Sequence, residues 1–325
     1  NGVTNKQMYV ANDGGVFRTD DARANVGMDV NAVCGAPVAG GVAWTELNNN
    51  YATTQFYAGS VWPDGNTYMG GMQDNGTWRG TTASSNWTKL QGGDGGYTAV
   101  DTLGDAVAAN DVLFAEYTGL SLQRSTNGGA TFTDATTGIN DNGFAFIAPF
   151  EMNTANRQQL WTGGWYVWRT TNQGSNWTRA SAVTAGNGSI SAVASSPLDG
   201  NRVIVAMSDG FVHYTTTGLS NTSTTVWPFT QPRAAFVSAA AFDPNNAAVA
   251  YILPKVPATA VVVDPSDSNR VYVGTDIGVY TTNDGGANWY RENSGFGNVS
   301  VEHLEINSQG TKRLYAWTHG RGLWR

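Results

Sequence analysis

Three observations predict an all-β fold, a β-propeller of about seven to eight four-stranded blades with one blade truncated. An aromatic residue recurs at a near-constant step, each recurrence closes a similar turn, and the strand-like segments between recurrences come in sets of four. The ladder runs Trp44, Trp87, Phe132, Trp177, Trp227 and Trp289, with steps of 43, 45, 45, 50 and 62 residues. A period near 45 residues is the length of one four-stranded blade.

The turns read "STNGGATF" (Ser125 to Phe132), "TTNQGSNW" (Thr170 to Trp177) and "TNDGGANW" (ending at Trp289), with a degraded copy, "GTTASSNW", ending at Trp87. The Asp or Asn accepts bonds from backbone N–H groups of its own turn. Gly supplies the positive φ, and the aromatic starts the next strand. Asn127, Asn172 and Asp284 are therefore expected to be structural. Around each turn the strands repeat. A first strand ends in a Pro or polar turn ("SAVASSPLDG", "SAAAFDPNN", "AVVVDPSDS"). A second follows ("NRVIVAMSDG", "NRVYVGTDIG", "KRLYAWTHG"), a third enters the turn ("LSLQRS", "YVWRTT", "GVYTTN") and a fourth carries the aromatic ("NWTKL", "TFTDA", "NWTRA"). Some alternate with period two and others are continuously apolar, as inner strands should be.

These turns resemble the Asp-box (BNR) repeats of sialidases, xyloglucanase-type glycoside hydrolases, sortilin-like receptors and many secreted bacterial proteins. The resemblance covers nearly the whole chain, read as a single propeller domain over residues 1–325 or as part of a longer propeller protein. It implies a fold more than an activity, because one scaffold hosts many chemistries.

Two irregularities stand out. Between Trp227 and Trp289 there are two first-and-second strand pairs, and "AVAYIL" runs on to "PKVPATAVVV" with no third strand and no box between them, a shortfall of about 25–30 residues against two repeats. The blade around Leu253 and Pro254 is expected to lack its outer strands, unless residues are missing between Tyr251 and Val256. The chain also opens on the second, third and fourth strands of a blade and closes on a first, second and third. That pattern suits a mature product or an excised piece.

In a propeller the box turns lie on one face. The opposite face gathers the ends of the second strands: Asp13, Asp74, Thr118, Trp165, Asp209, Asp276, and His319 with Arg321. Connections between blades add Asp94, Tyr97, Tyr57, Phe144 and Glu151. This ring surrounds the channel mouth, where propeller ligands bind. Asp-Gly at a strand end is also ordinary turn chemistry, so each of these aspartates has a structural reading as well.

Composition limits the choices. Net charge is −7, which argues against a nucleic-acid partner. No apolar run approaches a membrane span of about 20 residues. Cys34 is the only cysteine, so a disulfide within the chain and a cysteine zinc site are both excluded. A surface rich in Asn, Thr, Gly and Trp, with four lysines, suggests a secreted or periplasmic bacterial protein.

Glycoside hydrolysis needs two carboxylates about 5–5.5 Å apart for retention or about 6.5–9.5 Å for inversion. Xyloglucanase-type propellers carry catalytic aspartates in Asp-x-Gly-Gly-like turns, and "NDGGVFRTD" and "GGDGGY" are similar around Asp13 and Asp94. The resemblance thus implies Asp94 with Asp13 or Asp74 as the acid/base pair. Substrate contacts are then expected from His319, Arg321, Asp276, Asp209, Trp165, Tyr97 and Tyr57. A lyase would instead use Tyr57 or Tyr97 with His319 and Arg321. The second class is a non-catalytic propeller binding a glycan or protein for adhesion or extracellular assembly. In it Trp165, Trp168, Tyr97, Phe144 and Trp317 serve as stacking platforms. No cofactor is implied, although an acidic mouth also suits Ca²⁺.

Overall fold

The computed structural model describes residues 6–12, 15–24, 42–47, 54–105, 107–182, 186–254, 258–292, 295, 297–307 and 309–325. The chain divides into two compact units, Asn1–Thr53 and Thr54–Arg325. In the smaller, β1 (Met8–Asn12), β2 (Gly15–Thr19) and β3 (Thr45–Glu46) form one antiparallel sheet in that order.

The larger unit is a propeller of seven successive antiparallel sheets among the described residues. The first holds β4 (Phe56–Val61), β5 (Thr67–Met72), β6 (Gly76–Thr81) and β7 (Ser84–Gln91). The second holds β8 (Thr98–Asp101), β9 (Val112–Tyr117), β10 (Ser121–Ser125) and β11 (Thr133–Asp134). The third holds β12 (Phe150–Met152), β13 (Leu160–Gly163), β14 (Val167–Thr170) and β15 (Thr178–Arg179). The fourth holds β16 (Ile190–Ser195), β17 (Val203–Met207), β18 (Val212–Thr215) and β19 (Phe229–Thr230). The fifth has only β20 (Val237–Asp243) and β21 (Asn246–Pro254). The sixth holds β22 (Ala258–Asp264), β23 (Asp267–Thr275), β24 (Gly278–Thr282) and β25 (Tyr290–Arg291), and the seventh β26 (Val301–Ile306), β27 (Leu314–Thr318) and β28 (Leu323–Trp324). Six sheets thus have three or four strands, and the two-stranded fifth falls where the repeat is short. Among the described residues the only helical segments are single 3₁₀ turns at Thr118–Leu120 and Gly218–Ser220. The ring closes where β26 packs against β4.

Cores lie between neighbouring sheets, as the ladder implies. Trp177 packs with Phe114, Phe150 and Leu160 between the second and third sheets. Trp227 packs with Trp161, Val203 and Val205 between the third and fourth. Trp317 is fully buried with Phe56 and Tyr315 where the ring closes. Gly59 and Gly70 admit that indole: a Cβ on Gly59 would lie 1.9 Å from its Nε1.

The box turns are alike at atomic detail. In each, the hydroxyl of Ser125, Thr170 or Thr282 sits 2.7–2.8 Å from the side-chain oxygen of Asn127, Asn172 or Asp284. That oxygen accepts the N–H of Thr131, Asn176 or Asn288 at 2.9–3.0 Å. The hydroxyl also accepts the N–H of the glycine four residues on. These bonds hold the Asp284 carboxyl down at about 2. Arg79, Arg124 and Arg169, spaced 45 apart, each reach from a third strand to a backbone carbonyl of the following sheet, at Gly128, Gln173 and Gly218. Thr282→Ala leaves the Gly286 N–H without its acceptor. It should cost about 1–2 kcal/mol, read as a drop of roughly 2–6 °C in Tm.

Candidate functional site at the channel mouth

The first strands of all seven sheets line a central cavity of ≈580 Å³. Their register determines which side chains face it. In β4, β16, β20, β22 and β26 the pairing with the second strand slips near the strand start. Such a bulge leaves an extra residue and re-aims its side chain. The residues skipped are Tyr57, Ser191, Ser238 with Ala239, Thr259 and Glu302.

Three of these residues bridge from one sheet to the next. The Ser191 hydroxyl donates to the Val237 carbonyl at 2.6 Å, Ser238 to Ala258 at 2.6 Å, and Thr259 to Val301. Each carbonyl belongs to the residue just before the next bulge. Glu302 breaks the series, because an ionised carboxylate accepts hydrogen bonds and cannot donate to a carbonyl. Instead its Oε1 accepts from the Ser300 hydroxyl at 2.7 Å and lies 3.8 Å from His319 Nδ1. Tyr57, the bulge residue of the first sheet, is half-buried beside it. Burial raises the Tyr57 phenol, and the nearby charges of Asp94, Asp74 and Glu302 raise it further.

The mouth is knitted by backbone bonds between second-strand turns and inter-sheet connections. Asp94 Oδ1 accepts the Asp74 N–H at 2.9 Å, which fixes Asp74 at φ 58°. Gly320 N–H donates to Thr54, His319 N–H to Ser300, and Gln55 bridges His319. Tyr57, Asp74, Asp94, Glu302 and His319 therefore occupy one sector, where the seventh, first and second sheets meet. Behind them Tyr97 and His303 stack edge-on at 6.4 Å, and His303 meets Trp317 at 5.4 Å. Burial first, then Glu116 and Glu302, pushes the Tyr97 phenol up to about 12, and burial holds His303 at about 4. Both rings are neutral at physiological pH, so Tyr97 is a poor base for lyase chemistry.

The other expected residues are spread around the same face. Asp209 Oδ2 accepts the N–H groups of Asn187 and Gly188 at 2.9 and 3.0 Å, bracing its own loop. Asp276 is exposed in the turn between β23 and β24, and Arg321 is exposed on the closing turn, its carbonyl accepting from Trp324 Nε1. Trp165 is half exposed in the turn between β13 and β14 of the third sheet, outside the Tyr57 sector. Asp13 lies outside the described residues. Two expected platforms are corrected: Trp168 and Trp317 are buried core residues, with Trp168 Nε1 donating to Asp141. Among the described residues no three His, Cys, Asp or Glu side chains come together as a metal set, and no helix is long and apolar enough to cross a membrane.

The sequence reading missed several carboxyls. Glu302 is one. Glu116 bridges the second and third sheets, its two oxygens accepting the N–H groups of Tyr97 and Ala148 at 2.9 and 2.6 Å. Glu305 bridges the seventh and first, accepting the Val61 N–H at 3.0 Å. Asp141 binds the N–H groups of Gly143, Trp165 and Tyr166.

No family model and no curated protein matches the chain. Solved structures do. YCF48 bound to D1 peptide matches with TM-score 0.53 at 14% identity, over 84% of this chain and 91% of that one. Raptor from Chaetomium thermophilum matches with TM-score 0.59 at 10% identity, over 83% of this chain and 28% of that one. A GH74 enzyme from Niastella koreensis covers 98% of this chain and 61% of its own at 14% identity, but its TM-score of 0.45 carries no weight for the chemistry. At these identities the likeness establishes the fold alone: the larger unit is a β-propeller of antiparallel, mostly four-stranded blades.

Proposed function

We propose that the protein is an extracellular binding propeller that takes a neutral or amine-bearing glycan at the channel mouth, in the sector of Tyr57, Asp74, Asp94, Glu302 and His319. The observation that carries this reading is the replacement of a bridging hydroxyl by Glu302 at the one bulge beside Tyr57. The substitution gives up a link between sheets and leaves a carboxylate at the mouth. A protonated phenol that donates and carboxylates that accept suit sugar hydroxyls. An anionic ligand would meet three carboxylates.

Hydrolysis is the second reading. Its support is that Asp94 and Glu302 both act on Tyr57 electrostatically, which puts two carboxyls around one point. One titration separates the readings: pure protein against neutral, amino and acidic oligosaccharides, followed by calorimetry and by reducing-end release. Binding should weaken at least 10-fold in Glu302→Gln and in Tyr57→Phe, with Tm unchanged within about 2 °C. New reducing ends that vanish in Asp94→Asn would favour hydrolysis. Binding to no glycan in the panel would end the glycan proposal.

A further inference from the structure

The fifth sheet ends at β21, and among the described residues no strand pairs with its outer edge. Every other second strand of the propeller has a third strand beside it: β5 has β6, β9 has β10, β13 has β14, β17 has β18, β23 has β24 and β27 has β28. Natural edges are kept from unwanted pairing by being short or charged. The outermost strands of this propeller follow that rule. β11, β15, β19, β25 and β28 are two residues long, and the longer β7 carries Lys89. β21 breaks it, with nine residues reading NAAVAYILP and no charge.

The flanking sheets also turn exposed or half-covered aromatics toward the vacant position. In the fourth sheet Ile204 and Val212 pack against Val237 and Ile252 of the fifth. Tyr214 pairs directly with Ile204 and so shares that face, yet it is 47% exposed. In the sixth sheet Ala260, Val262, Tyr272 and Val279 pack toward the seventh. Tyr280, next to Val279 and paired with Val273, therefore lies on the opposite face, toward β21, where it is half-covered. The vacancy is a slot with the β21 edge as its floor and Tyr214 and Tyr280 on its walls.

We infer that this slot is a strand-docking site, which takes an extended, uncharged segment of a partner protein added antiparallel to β21 as the missing third strand. Backbone bonds to β21 give the affinity, and alternate apolar side chains of the segment cover Tyr214 on one side and Tyr280 on the other. A second copy of this chain is disfavoured as the occupant. Its own β21 lies at the bottom of an equivalent slot, between outer strands that would collide with those of the first copy. This surface is separate from the channel mouth and does not depend on the glycan reading.

The test uses the whole protein and a labelled synthetic peptide with the chain's own uncharged third-strand sequence from the next sheet, GVYTTN (Gly278–Asn283). Fluorescence anisotropy should show saturable binding in the micromolar range, and none with a scrambled peptide. Amide exchange of β21 should slow on binding. Tyr251→Lys, which charges the edge, and Tyr214→Asp, which charges the wall, should each weaken binding at least 10-fold. An unchanged thermal transition would show that the variants remain folded. The inference is overturned by no binding at millimolar peptide, by equal binding of the scrambled peptide, or by full binding in Tyr251→Lys. It is overturned also if sedimentation shows a dimer that Tyr251→Lys dissociates, which would make a second copy the occupant.

Discussion

Glu116→Ala is expected to destabilise the propeller by about 3–5 kcal/mol, seen as a fall of roughly 10 °C in Tm. Glu116 is 2% exposed and lies on β9, one strand out from the channel. Its two oxygens take the N–H groups of Tyr97 and Ala148, which belong to successive first-strand segments. Alanine removes both acceptors and leaves two buried donors unpaired, each a cost of about 1–3 kcal/mol. It also opens space beneath Gly96, where a Cβ would lie 2.3 Å from Glu116 Oε2. Gly96→Ala should therefore reproduce much of the effect by pushing the same carboxyl aside. Differential scanning calorimetry of both variants and the double mutant checks this. If the carboxyl is the shared cause, the double mutant loses clearly less than the sum of the two. A loss below about 1 kcal/mol in Glu116→Ala would mean that the bridge carries little of the cohesion between those sheets.

Much of the fold was legible because its signals are local and periodic. Trp177 and Trp227 mark the inter-sheet cores at the expected spacing, and the three boxes form the turns that Ser/Thr, Asn/Asp and Gly dictate. The arginines at 79, 124 and 169 keep the same 45-residue step but passed unnoticed, since a lone arginine in a strand reads as surface. The vacant edge at β21 was visible as a shortfall in length. The mouth was read less completely. The repeat pattern puts Asp74, Asp94, Tyr57 and His319 on one face, and they do meet in one sector. Asp94 and Asp209, however, also brace backbone there, which their glycine-rich surroundings left open. Glu302 is hidden in the sequence because "VEHLEIN" reads as an alternating strand. It becomes visible only when the first strands are aligned on their closing turn, five residues before Asn307, as Tyr57 stands before Trp62, Ser191 before Ser196, Ser238 before Asp243 and Thr259 before Asp264. Glu116 could not be found this way, because its role depends on which N–H groups a neighbouring sheet presents.

The buried carboxyls also determine how stability should depend on pH. Burial raises Glu116, Glu151 and Glu305 each to about 8, outweighing the hydrogen bonds that favour ionisation. Glu151 and Glu305 line the central cavity. In the unfolded chain these groups ionise near pH 4.3. Between about 4.3 and 8 the folded state holds protons that the unfolded state has lost, so stability falls as pH rises. Their contribution is complete below the unfolded value and lost as pH passes 8. His303 acts in the opposite sense. Held at about 4 by burial, it favours the folded state above its unfolded value near 6.5, and that contribution is lost as pH falls through 4. Three carboxyls outweigh one imidazole, so Tm should decline from pH 5 to pH 9. Glu305→Gln isolates one contributor. Its amide oxygen can still accept the Val61 N–H, but the side chain no longer titrates. The variant should have a flatter profile than the unsubstituted protein and a higher Tm at pH 9. Thermal melts at constant ionic strength decide the matter: a level profile across this range, or a Glu305→Gln variant that melts lower at pH 9, would mean that these carboxyls are ionised in the folded propeller.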